Sequence, residues 1–116
     1  MMHRIFVYGT LKRGGRLHPA LRGAKFLADA TIPGRLHQMP GYWYPQAQPG
    51  DGVIHGELYG EVSDACLEGL DRAEGHPYLY RRTEITVDGA PAWVYWYVPD
   101  TLADAPLVPG GDFKVK

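Results

Sequence analysis

A chain of 116 residues with 45% hydrophobic and 22% charged residues is long enough for one hydrophobic core and too short for two, and its composition excludes disorder throughout. One cysteine, Cys66, and no asparagine exclude an intrachain disulfide and an N-glycosylation site, and no apolar run reaches the roughly 18 residues of a membrane span. The net charge of −1 conceals six basic residues and no acid within residues 1–28, a pattern more often a solvated face than a nucleic-acid surface.

Met1-Met2-His3-Arg4 leads into a strand pattern and not a signal peptide, so a soluble, cytoplasmic protein with no membrane partner is expected. Arg4 to Tyr8 is a β-branched and aromatic run ending at Gly9, which predicts a buried first strand followed by a loop through Lys12-Arg13-Gly14-Gly15. His18-Pro19-Ala20-Leu21 predicts one helical turn, since proline is tolerated at a first helical position. Ala24 to His37 reads as a strand, a bend at Pro33-Gly34 and another short strand. Residues 39–52 read as an aromatic-bearing loop with one edge strand at Tyr42-Trp43-Tyr44.

The alternation from Val53 to Val62 predicts a further strand. Ser63-Asp64 offers capping oxygens, and Leu67, Leu70 and Asp71 follow helical spacing until Gly75 stops the helix. Tyr78 to Val87 and Ala92 to Val98 predict a hairpin joined by Asp88-Gly89. Residues 99–116 read as an irregular tail draped over a core at about 4–98, all within one domain. Short strands with one principal helix predict an α+β, mainly β fold, either a small curved sheet or a closed barrel.

Several chemistries are excluded. Ser63 is the only serine and has no G-x-S-x-G elbow around it. Cys66 falls on the predicted helix and reads as a small packing residue. The five histidines show no metal-ligand spacing, so no metal is expected, and Gly9 to Gly14 has P-loop spacing without the Lys-Ser or Lys-Thr that should follow.

Two features remain. In Tyr8-Gly9-Thr10-Leu11, glycine lets the backbone turn and aim its amides at an anion such as a carboxylate. Glu74 stands seven residues after Leu67 and four after Leu70, so the helix face that buries those leucines points this carboxylate inward. Burial raises a carboxyl's pKa toward neutrality, as a general acid/base requires; the competing reading is a solvated residue at a helix end.

Val7-Tyr8-Gly9-Thr10-Leu11-Lys12-Arg13-Gly14 and, far downstream, Leu70-Asp71-x-x-Glu74-Gly75-x-Pro77-x-x-Tyr80-x-Arg82 resemble the motifs of the γ-glutamylcyclotransferase-like superfamily. The likeness is strongest to the branch holding γ-glutamylamine cyclotransferases and the plant avirulence-induced proteins, and it covers about residues 4–98. It implies a small β-barrel, closed or partly closed, with short flanking helices. It also implies a cofactor-independent enzyme that cyclises a γ-glutamyl amine or amino acid to 5-oxoproline and releases the amine. By position, Tyr8, Gly9, Thr10 and Leu11 would bind substrate, Glu74 would be the catalytic acid/base, and Tyr80 and Arg82 would support binding. The expected partner is a small γ-glutamyl compound and not a nucleic acid; the alternative is a non-catalytic module that binds a small acidic metabolite.

Overall fold

A computed structural model of the chain describes residues 1–100, 102 and 105–115. Five strands form one sheet in the order β2-β3-β1-β5-β4. They are β1 (Met2–Val7), β2 (Lys25–His37), β3 (Gln46–Ser63), β4 (Tyr80–Val87) and β5 (Ala90–Tyr97), and the helix α1 (Asp64–Glu74) follows β3.

The central position of β1 follows from its composition. Ile5, Phe6 and Val7 are all buried, because the strand has neighbours on both edges and cover on both faces. On one edge it pairs antiparallel with β3, Phe6 opposite Leu58 and Val7 opposite Glu57; on the other it meets β5 in parallel at Ile5 and Trp93.

β2 and β3 make one long bent hairpin. Pro33 pairs with Val53 and Arg35 with Gln48, so residues 49–52 bulge out of the ladder opposite Gly34. The bend and two short strands expected over residues 24–37 are therefore one continuous strand with a register shift. The expected edge strand at Tyr42-Trp43-Tyr44 is absent; these residues form an irregular loop, and pairing starts only at Gln46. The ladder takes Gln46 and Ala47 because they lie opposite His37 and Leu36 across the hairpin, a long-range partner that local composition does not reveal.

The sheet curls into a partly closed half-barrel, so its two faces build separate cores. Phe6, Tyr8, Ile54, Leu58 and Val94 pack together on one face, while Ile5, Val7 and Tyr59 pack with the helix residues Leu67 and Leu70 on the other. α1 starts where expected: the Ser63 hydroxyl accepts the Cys66 amide at 3.1 Å. It stops at Gly75, whose left-handed φ of 66° lets the chain reverse, while the His76 amide returns to the Asp71 carbonyl at 2.9 Å.

His18–Leu21 is a 3₁₀ turn, and the β4/β5 hairpin turns at Asp88 and Gly89, both with positive φ. The tail does more than cover the surface: Phe113 joins the core of Phe6, Ile54 and Leu58, and the Lys12 ammonium donates to its carbonyl at 2.6 Å. Thr101, Ala103, Asp104 and Lys116 of the expected tail lie outside the described residues. Among the described residues no helix is long and apolar enough to cross a membrane.

Candidate active site

The loop after β1 and the last residue of α1 meet at one cavity of about 160 Å³. Tyr8, Gly9, Thr10 and Leu11 form one side of it, Ala73 and Glu74 another, and Trp43, Tyr44, Pro45 and Tyr80 close it. That volume is below the roughly 300–1,000 Å³ of pockets for drug-sized ligands, so it suits one compact polar group.

The loop is locked by its own backbone. The Lys12 amide donates to the Gly9 carbonyl at 3.0 Å, and Leu17 returns to the Thr10 carbonyl at 3.0 Å. Among the described residues, the amides of Gly9, Thr10 and Leu11 donate to no carbonyl outside the strand ladders and to no side chain. Backbone amides left open beside a cavity are ready donors for a ligand.

Glycine is needed at position 9 for a reason that differs from the expected turn. Its φ is not positive; instead a Cβ there would sit 2.8 Å from the Pro45 ring. Gly9→Ala is expected to push the Trp43–Pro45 wall outward, destabilise the fold by about 1–3 kcal/mol and raise KM well above any change in kcat. Thermal melting and steady-state kinetics check both effects.

Glu74 lies on the Leu67–Leu70 side of α1, where its spacing puts it. The residue is half-buried, and burial raises its carboxyl from 4.5 to about 7. Its place at the C-terminal end of the helix acts in the same sense, because the helix dipole there disfavours a negative charge. Among the described residues, no hydrogen bond or ion pair holds its carboxylate. A carboxyl near neutrality with no partner can take a proton and give it back.

Two of the tyrosines are braces. The buried Tyr8 hydroxyl donates to the Tyr95 carbonyl at 2.5 Å, and the Tyr80 hydroxyl donates to the Pro45 carbonyl at 2.8 Å. Burial, helped by the neighbouring tyrosines and Glu74, keeps both phenols protonated far above neutral pH. Their rings wall the cavity while their hydroxyls fix its frame. Gln46, fully buried, does the same for the aromatic loop: it accepts the Met39 amide at 2.9 Å and donates to the Tyr44 carbonyl at 2.8 Å.

Arg82 does not line the cavity. Its guanidinium grips Asp71 with two bonds of 2.8 and 2.9 Å, lies 4.3 Å over the Trp93 ring, and shares Asp71 with the Tyr95 hydroxyl at 2.7 Å. Asp71 stands one helical turn before Glu74, so this network ties the C-terminal end of α1 to β4 and β5. Burial opposes ionisation of Asp71, but Arg82 and Tyr95 outweigh it and lower its pKa. Its stabilisation is therefore full above the ordinary aspartate range and lost as pH falls below it. Asp71→Asn is expected to cost about 1–3 kcal/mol in thermal or denaturant unfolding at pH 7, with the difference from wild type shrinking in acid.

Asp71, Gln46 and Pro45 escaped the sequence reading. Asp71 alone left a signal, as part of the Leu-Asp-x-x-Glu run. No group of three or more His, Cys, Asp or Glu among the described residues is placed to hold a metal.

Residues 5–115 match the family described as gamma-glutamyl cyclotransferase, AIG2-like. The chain belongs to this family. It is 37% identical over 95 residues to the gamma-glutamylcyclotransferase family protein YtfP of Escherichia coli K12, covering 81% of each chain. An AIG2-like protein from Mus musculus superposes with a TM-score of 0.80 at 30% identity, over 96% of this chain and 88% of the mouse chain. A protein from Pyrococcus horikoshii gives a TM-score of 0.80 at 31% identity, over 95% and 88%. The curled mainly-β fold with one principal helix is thus that of the AIG2-like proteins.

Proposed function

We propose that the protein is a cofactor-independent γ-glutamylcyclotransferase that converts a small γ-glutamyl compound to 5-oxoproline and a free amine. One observation carries the reading: Glu74, a partnerless carboxylate raised toward neutrality, lines the same small cavity as Gly9, Thr10 and Leu11, whose amides donate to no carbonyl outside the strand ladders. The amides of Gly9, Thr10 and Leu11 hold the α-carboxylate of the γ-glutamyl group. Glu74, as carboxylate, takes a proton from its α-ammonium.

The freed nitrogen attacks the γ-carbonyl carbon of the same molecule. The new nitrogen–carbon bond closes the ring and the amide bond to the leaving nitrogen breaks; Glu74 returns its proton to that nitrogen, and the second proton shed by the ring nitrogen follows, so that the amine departs as an ammonium. No water is consumed and no protein nucleophile is needed, in keeping with one serine and one cysteine, neither in the cavity. Holding amine and carbonyl in attack geometry lowers the barrier, since intramolecular reactions reach effective molarities of roughly 10⁵ M or more.

Product analysis after incubation with γ-glutamyl amines and γ-glutamyl amino acids tests the proposal. Equal amounts of 5-oxoproline and amine are expected. Release of glutamate would mean hydrolysis, and binding without turnover would leave a sensor of acidic metabolites.

A further inference from the structure

A second chamber of about 480 Å³ adjoins the first, sharing Thr10 and Trp43 with it. The first cavity is sized for one compact group, and the wall at Thr10 and Trp43 is where it adjoins the larger chamber. The chamber's walls carry two cations, Arg16 and Lys114, and one acid, Asp112. That acid is already engaged, 2.8 Å from the Lys114 ammonium and 3.4 Å from that of Lys12.

Lys12, Arg13 and Arg16 all belong to the basic loop. Lys12 is tied to the tail, and Arg13 donates its amide and its guanidinium to the buried Glu57 carboxylate at 2.9 and 3.2 Å. Arg16 pairs with no carboxylate among the described residues. Its guanidinium instead lies 4.2 Å over the Trp43 ring, on the wall common to both chambers. Arg16 is exposed, and this contact holds its guanidinium against the ring while no hydrogen bond occupies its N–H groups among the described residues, so they can meet a carboxylate with two parallel bonds. The position is built in: a Cβ on Gly15 would sit 2.1 Å from the Thr10 carbonyl oxygen, so the backbone before Arg16 is packed tightly against the substrate loop.

We propose that the second chamber receives the leaving group, and that Arg16 selects leaving amines that carry a carboxylate, as amino acids do, over plain amines. This rests on the cyclotransferase reading of the first cavity. Wild type, Arg16→Gln and Arg16→Lys are to be compared on γ-glutamyl-phenylalanine and γ-glutamyl-phenethylamine, which differ only by the carboxylate. Wild type is expected to favour the first by about tenfold in kcat/KM, the range of a hydrogen bond to a charged group. The preference is expected to fall with added salt, collapse toward unity in Arg16→Gln and be partly kept in Arg16→Lys, which holds the charge without the flat stack. Turnover of both compounds with the same ratio in wild type and Arg16→Gln would overturn the Arg16 assignment alone. Absence of 5-oxoproline from both compounds with wild type, repeated across other γ-glutamyl amines and amino acids, would overturn the reaction itself and the Arg16 proposal with it.

Discussion

Replacing Glu74 with glutamine is expected to slow 5-oxoproline release by about 10²–10⁴-fold, the usual contribution of a general acid/base, while making the protein more resistant to heat at pH 8. Glutamine keeps the shape and removes both the proton carrier and the charge. The stability gain follows from the direction of the shift. The carboxyl is raised above its unfolded value, so the folded chain holds this proton more tightly than the unfolded chain does. Below the unfolded value the group costs the fold nothing, between there and about 7 stability falls as pH rises, and above 7 the loss is complete. A rise from 4.5 to about 7 caps that loss at about 3 kcal/mol, and water in the cavity screens it to about 1–2 kcal/mol. Melting temperatures at pH 5 and pH 8 check the sign: the variant is expected to gain a few degrees at pH 8 and almost nothing at pH 5. A variant that loses turnover because it misfolds would lose stability at both.

The acid limb of the rate profile is the second large effect. In the proposed reaction Glu74 has to be a carboxylate to accept the proton of the α-ammonium, so kcat/KM is expected to fall about tenfold per pH unit below about 7 and to level off above it. The fall at high pH belongs to the substrate, whose amine loses its proton in solution. A rate that stays flat from pH 8 down to pH 5 would show that no group titrating near 7 carries the proton.

Where local pattern and tertiary partner agree, the fold is legible in the sequence. The helix between Ser63 and Gly75 and the hairpin at Asp88-Gly89 are set by capping and turn chemistry that neighbouring residues supply. Gln46 to Gly52 is different. These residues have neither alternation nor β-branched side chains, and Pro49-Gly50-Asp51-Gly52 resembles a loop end, yet Gln46, Ala47 and Gln48 pair with β2 and β3 runs on through the bulge at 49–52. The alternation from Val53 to Val62 predicts one wet face, but Glu57 and Tyr59 are both buried, Glu57 held by Arg13 and Tyr59 packed with Ile5, Val7, Leu67 and Leu70. No period of 2 anticipates a strand covered on both sides.

At the candidate site, helical spacing places Glu74 and the end of β1 places its loop. The third wall depends on Tyr80 reaching the Pro45 carbonyl across 35 residues, and Arg82 grips Asp71 outside the cavity, pairings that only the folded sheet brings together.

The proposed chemistry requires the Glu74 carboxyl to titrate near neutrality within the cavity. A ¹³C titration of the glutamate carboxyl groups, with the Glu74 signal assigned as the one missing in Glu74→Gln, measures it directly. A midpoint at about 7 is predicted; a midpoint at the ordinary value of 4.5 would contradict the role assigned to Glu74.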